Sequence, residues 1–175
     1  MPVRMVRLLL SFSLALALMV SAPAPVRAAT PATDATATAI VLRPLTLLKL
    51  RNLDFGGLLS SATAGTAILD PSTGAVTTTG GVVAASGPTM SARFMGAGTR
   101  KTPVIVRIPK NPVTLTRVGG TETMTVSNWT MDGSTTRIIQ ENETFEFRVG
   151  GRLNVAANQM QGTYVGTFDV TAQYP

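Results

Sequence analysis

Gly162-Thr-Tyr-Val-Gly-Thr-Phe-Asp-Val-Thr-Ala-Gln-Tyr-Pro175 is the stretch whose reading decides the fold. Side chains on a strand alternate faces, so Tyr164, Gly166, Phe168, Val170, Ala172 and Tyr174 share one side. The other side holds Thr163, Val165, Thr167, Asp169, Thr171 and Gln173. One face is apolar and aromatic, the other mostly hydroxyl, amide and carboxylate, which is the pattern of a half-buried antiparallel strand. At about 3.3 Å per residue, a strand from Tyr164 to Tyr174 spans roughly 33 Å, longer than usual. So long a strand at the end of the sequence raises the question of what pairs with its free edge.

Upstream, short strand-like pieces are separated by turn chemistry. Ile40–Leu50 reads as β-structure interrupted at Pro44, and Leu53-Asp-Phe-Gly56 as a short strand ending in a turn. Ala67–Leu69 and Ala75–Thr77 flank Asp70-Pro-Ser-Thr-Gly74, the turn of a hairpin. Further strands are expected at Ser91–Met95, Val104–Ile108, Val113–Thr116, Met124–Ser127, Thr144–Val149 and Leu153–Val155. Turn signals separate them at Gly96-Ala-Gly98, Pro109–Pro112, Gly119-Gly120, Asp132-Gly133 and Gly150-Gly151. The expected fold is an all-β sandwich of short antiparallel strands with little helix, and a closed eight-stranded barrel is the alternative.

The beginning of the chain predicts export. Arg4 and Arg7 precede the apolar run Leu8–Val20, and Val26-Arg-Ala28 offers a cleavage site, so residues 1–28 read as a signal peptide. The apolar run is too short for a membrane-spanning helix, which needs about 20 residues, and Pro23 and Pro25 follow it. No membrane insertion is expected after cleavage. Residues 29–39 are rich in Ala and Thr and read as a flexible extension, because they bury too little to offset their ordering entropy. Residues 40–175 then form a single β-sandwich domain, long enough to bury a core.

Composition narrows the function. The chain carries 15 basic and 9 acidic residues, and losing Arg4, Arg7 and Arg27 with the leader leaves net +3 rather than +6. The basic residues are scattered along the chain, with Arg100-Lys101 the only adjacent pair, so nucleic acid is not an expected partner. There is no histidine and no cysteine, which excludes His-based triads, thiol nucleophiles, disulfides and the usual zinc sites. Glu141, Glu143 and Glu146 would need a common cleft to act as a glycosidase pair; a solvated turn and strand face explains them as well. Asp70 and Asp132 sit where turns need them and lack the spacing of a calcium loop. Gly96-Ala-Gly98 is too short for a phosphate loop. Trp129 could stack on a sugar but reads as a residue of the core or its edge, and the scattered methionines read as gap-fillers. No enzyme, metal or cofactor is expected.

Arg43-Pro-Leu-Thr-Leu47, Leu53-Asp-Phe-Gly56, Ala62-Thr-Ala-Gly65, Asp70–Gly74, Leu153-Asn-Val-Ala-Ala-Asn158 and the closing Gly162–Tyr174 occur together and in order. In these pieces the chain resembles the exported bacterial family called domain of unknown function 4402, over roughly residues 36–174. More distantly, its layout resembles spore coat protein U-type domains and chaperone–usher pilus subunits, which end in a similar Gly-Thr-Tyr strand. Glycine 14 residues from the end and a penultimate tyrosine match Gly162 and Tyr174. The pilus resemblance implies an immunoglobulin-like sandwich lacking one strand, with a groove beside the terminal strand that accepts a strand from a neighbour. Gly162, Tyr164, Phe168, Val170 and Tyr174 would line or flank that groove. The donor would lie before Pro44, in Ala37, Ala39 and Val41 on one phase and Ile40 and Leu42 on the other. Partners would be copies of the chain or a related subunit, and a periplasmic chaperone. The expected function is a non-enzymatic, fimbrial-subunit-like or cell-surface protein located in the periplasm, at the cell surface or outside the cell. The alternative is a self-complete periplasmic or secreted binding module, with carbohydrate as a candidate ligand.

Overall fold

The computed structural model describes residues 36–175, so the expected signal peptide and residues 29–35 of the expected extension lie outside the described residues. Thirteen strands and no helix are found among the described residues. They are β1 (Thr46–Arg51), β2 (Gly57–Leu59), β3 (Gly65–Leu69), β4 (Val76–Gly80), β5 (Val83–Ser86), β6 (Ala92–Ala97) and β7 (Pro103–Arg107). There follow β8 (Val113–Arg117), β9 (Thr123–Met131), β10 (Thr136–Ile138), β11 (Thr144–Val155), β12 (Tyr164–Val165) and β13 (Thr171–Gln173). All pair antiparallel, and the fold is all-β.

The large sheet runs β1-β6-β11-β9-β8-β12, with β3 and β4 joined to the far half of β11. Against its inner face lie a three-stranded sheet, β10-β7-β13, and a two-stranded one, β2-β5. The three-stranded sheet covers one core cluster as the second layer of a sandwich; the second cluster is capped by Phe55, Leu58 and Val82 around the two-stranded sheet, whose β5 is wholly exposed. Alternate residues of β6 and β11 (Ala92, Phe94, Phe145, Phe147, Val149) pack on Val104 and Val106 of β7 and on Ile139. Farther along β11, Leu153 and Val155 pack with Ala67, Leu69 and Val126 against Phe55 and Val82. Phe147 anchors the first cluster: it is fully buried, and its ring stacks 5.2 Å from Phe94 and 6.2 Å from Phe145.

Leu53–Gly56 holds only an isolated bridge from Asp54 to Met90, Gly96-Ala97 ends β6 instead of opening a turn, and three further expectations need correction. The first strand begins at Thr46, because Ile40–Pro44 makes no ladder and Ile40 and Val41 are 86% and 93% exposed. Gly150-Gly151 is no turn but the middle of the twelve-residue β11. Glycine is needed there for close approach: a Cβ on Gly150 would lie 2.2 Å from the Leu69 carbonyl oxygen. Opposite Gly151, β9 inserts an extra residue at Asn128-Trp129, a bulge with Asn128 at φ 45°. Finally, the terminal stretch is not one strand. It leaves the large sheet after Val165, crosses between the layers, and joins β7 from Thr171. Its alternation survives the crossing, since Phe168, Val170, Ala172 and Tyr174 all pack on the first cluster.

Phe147→Ala should cost about 3–5 kcal/mol, because a full ring is removed from a site walled by two other rings. Urea unfolding followed by intrinsic fluorescence measures it. A loss below about 1 kcal/mol would mean the two layers do not meet at this ring.

Candidate groove beside the terminal strand

The crossing of the terminal stretch leaves a gap in the second layer. A groove of about 720 Å³ lies between Asn52–Leu58 on one bank and Gly162–Phe168 on the other. Its floor is the inner face of the large sheet, formed by Leu115 of β8, Met124 and Val126 of β9, and Leu153 of β11. Trp129 closes one end and Lys49 stands at the rim. The bulge in β9 aims Trp129 inward, where its ring meets Phe168 at 4.6 Å and its Nε1 donates to the Asn111 carbonyl at 3.2 Å. A ring committed to these two contacts belongs to the edge of the core rather than to an open sugar platform.

The backbone of the C-terminal bank is unusual. Among the described residues, no backbone–backbone hydrogen bond reaches Gly166–Val170. β12 is held on one side by β8 and β13 on one side by β7, and neither has a second partner. An unpaired backbone run beside an apolar groove combines the two requirements for accepting an added strand: free N–H and C=O groups, and pockets for alternate side chains.

The five residues expected to form the groove divide into two groups. Gly162, Tyr164 and Phe168 line it. Val170 and Tyr174 instead face the core, with Val170 packed on the first cluster. The Tyr174 hydroxyl accepts from Thr99 N–H at 2.9 Å and donates to the Arg43 carbonyl at 2.9 Å. That pins the chain where it enters the domain. Arg43 is held further by Thr99 Oγ1 at 2.8 Å and by an ion pair with Glu143. Ala37, Ala39, Ile40, Val41 and Leu42, the expected donor, are all exposed and outside any strand. Floor residues Leu115, Met124 and Val126 had been legible as strand positions, but their common facing into a gap depends on register.

Gly162 is placed by what lies beneath it. It takes φ +147°, and a Cβ there would stand 2.8 Å from the Arg117 side chain. Arg117 Nε in turn donates to Glu122 at 2.7 Å across the β8–β9 turn. The Arg117 guanidinium, with the amides of Glu122 and Thr121, pushes the Glu122 carboxyl down to about 2. Several other carboxylates are also occupied. Asp70 accepts from the Ser72 and Thr73 amides, the latter the larger reason its carboxyl sits below the usual range. Asp132 holds Arg137 and the Arg148 amide. Glu141, Glu143 and Glu146 each pair with a different cation (Lys101, Arg43 and Arg93), so they share no cleft. Among the described residues, no group of three acidic side chains could hold a metal, and no helix is long and apolar enough to cross a membrane.

Residues 45–174 match the family described as Domain of unknown function (DUF4402), and the chain belongs to that family. No curated protein and no solved structure matches it.

Because its folded carboxyl sits at about 2, below the ordinary 4.5, Glu122 stabilises the fold above pH 4.5 and loses that contribution as pH falls through about 2. Glu122→Gln should therefore melt earlier than the parent at pH 6, and the gap should close between pH 4.5 and 2. A melting-temperature gap that stays constant across that range would show that the ionised pair does not brace the start of the C-terminal bank.

Proposed function

We propose that this member of the DUF4402 family is a non-enzymatic, exported structural or cell-surface protein, like a fimbrial subunit, that assembles by strand addition into the groove beside Gly166–Val170. The observation that carries this reading is the unpaired backbone of that run over the apolar floor of Leu115, Met124 and Val126. The same chain supplies a matching segment. Ile40 and Val41 are large, apolar and almost wholly exposed, and nothing in their own domain uses them.

Geometry favours a second copy, or a related subunit, as the source of that segment. Arg43 is tied to Tyr174 at the far end of the terminal stretch. A chain's own extension laid beside Gly166–Val170 would run parallel to it, since both finish at that same point. A neighbour's extension is free to enter antiparallel, which pairs slightly better. Burying Ile40 is worth about 1.5–3 kcal/mol, and either phase of the extension offers only one or two large residues. Assembly by this segment is consequently modest in strength and draws much of its affinity from main-chain hydrogen bonds. A periplasmic chaperone would serve by covering the groove before a neighbour arrives.

A peptide of residues 36–43 tests the mode directly. Added to purified protein, it should slow hydrogen exchange at the amides of Gly166–Val170, and the Ile40→Asp peptide should protect them several-fold less. Concentrated protein in native buffer should sediment as multiples of the monomer that dissociate on dilution. Unchanged exchange at Gly166–Val170 together with monomer at every concentration would overturn the proposal.

A further inference from the structure

The outer face of the large sheet carries a feature that spacing along the chain conceals. Register sets Arg51 of β1 opposite Arg93 of β6, and Arg93 opposite Arg148 of β11. Cross-strand partners share a face, so three guanidinium groups stand in one row across three strands. Phe94 and Phe147, one residue away on β6 and β11, point into the core and leave the row on the outer side. Arg152 follows on that face, opposite Ile68 of β3 and Ser127 of β9.

Neighbouring like charges weaken a sheet, and among the described residues only Glu146, bonded to Arg93 in the middle of the row, offsets them. The flanking carboxylates are already held: Glu146 accepts from Arg93 Nε and Nη2 at 3.0 and 2.6 Å, and Asp132 accepts from Arg137. Arg148 reaches only the Ser72 carbonyl, at 2.6 Å. Arg51 and Arg152 have no acidic partner among the described residues, and Arg152 Nε is buried without any acceptor.

Beyond Arg152 the same face changes character. Thr114, Thr125, Asn154, Thr66 and Thr79 align across five neighbouring strands. Asn154 Nδ2 joins Thr125 and Ser127, and Thr66 bonds Thr79 at 2.7 Å, so the row is a preset ladder of hydroxyls and an amide. From Arg148 to Asn154 the two rows lie about 20 Å apart along β11.

We infer that this outer face binds an anionic polysaccharide, whose carboxylates meet the arginine row while its hydroxyls meet the threonine–asparagine ladder. Guanidinium forks match carboxylates in two bonds, and a flat strand face accepts an extended chain. Among the described residues no aromatic ring interleaves with the arginines, which argues against single-stranded nucleic acid. The site is independent of the groove, which lies on the opposite face of the same sheet.

Affinity electrophoresis of the purified protein in gels containing polygalacturonate tests the inference, with neutral dextran gels as reference. Polygalacturonate should retard the protein at low salt and release it as salt rises. The triple variant Arg51→Gln/Arg148→Gln/Arg152→Gln should bind about tenfold or more weakly, consistent with lost charge-assisted bonds. An equal charge loss elsewhere, Arg100→Gln/Arg107→Gln/Lys110→Gln, should leave at least half of the retardation. Thr114→Val/Thr79→Val, which changes no charge, should weaken binding a few-fold. Matching melting temperatures establish that each variant is folded. Absence of retardation, equal loss in the two charge variants, or no effect of the threonine pair would overturn the inference. Tighter binding to duplex DNA or to phosphatidylglycerol vesicles than to polygalacturonate would do the same.

Discussion

The contact between Trp129 and Phe168 is the constraint on which the rest of the structure depends. Phe168 belongs to a segment with no ladder of its own, so its ring must hold the crossing chain down on the sheet. Trp129 can receive it only because the bulge at Asn128 turns the indole inward, and it packs on both core clusters at once. Aromatic pairs of this kind add about 0.5–1.5 kcal/mol beyond the area they bury. The two clusters are joined largely through this ring and Leu53, which pack against both. The core is thus continuous along the sandwich although the second layer is not.

A gap in one layer brings opposing demands. The apolar floor of Leu115, Met124 and Val126 gains from being covered, while the chain that could cover it has left for the other sheet by Thr171. Tyr174 accounts for part of that departure. Its hydroxyl bridges Thr99 and Arg43, residues separated from it by 75 and 131 positions, and so locks both ends of the domain at one pole. Pulling β13 onto β7 to reach that lock leaves Gly166–Val170 stretched between sheets. The unpaired edge accompanies the change of sheet between Val165 and Thr171 that carries Tyr174 to its bridge.

Much of this was legible in the sequence wherever a single strand carried the signal. Short strand-like pieces between turn signals marked β3, β6, β7, β8 and the first half of β11, and alternation put Phe168, Val170, Ala172 and Tyr174 on the buried face. What failed were positions where two strands decide together. Gly150-Gly151 resembles a turn by composition, but the pair is demanded by the Leu69 carbonyl on one side and the Asn128-Trp129 bulge on the other. Neither neighbour is visible locally. The terminal stretch has a faultless alternation, which says which face is buried but not which sheet it joins. The resemblance to pilus subunits set Val170 and Tyr174 along or beside the groove, and they pack on the first core cluster because the partner changes between Val165 and Thr171.

The same non-locality explains why the chain reads as evenly charged. Arg51, Arg93 and Arg148 are separated by tens of residues, and only the registers of β1 with β6 and of β6 with β11 bring them into line. Antiparallel pairing leaves no freedom in this, because slipping β6 by one residue would put Phe94 in water and Arg93 in the core. The burial of Phe94 and Phe147 therefore fixes the arginine row as firmly as it fixes the core. One sheet then presents two unlike faces: an inner one with a gap, suited to receiving a strand, and an outer one with cations and hydroxyls. A strand added on the inside leaves the outside clear, so copies joined through the groove would each still present an outer face, and a weak contact per copy would be multiplied along the assembly.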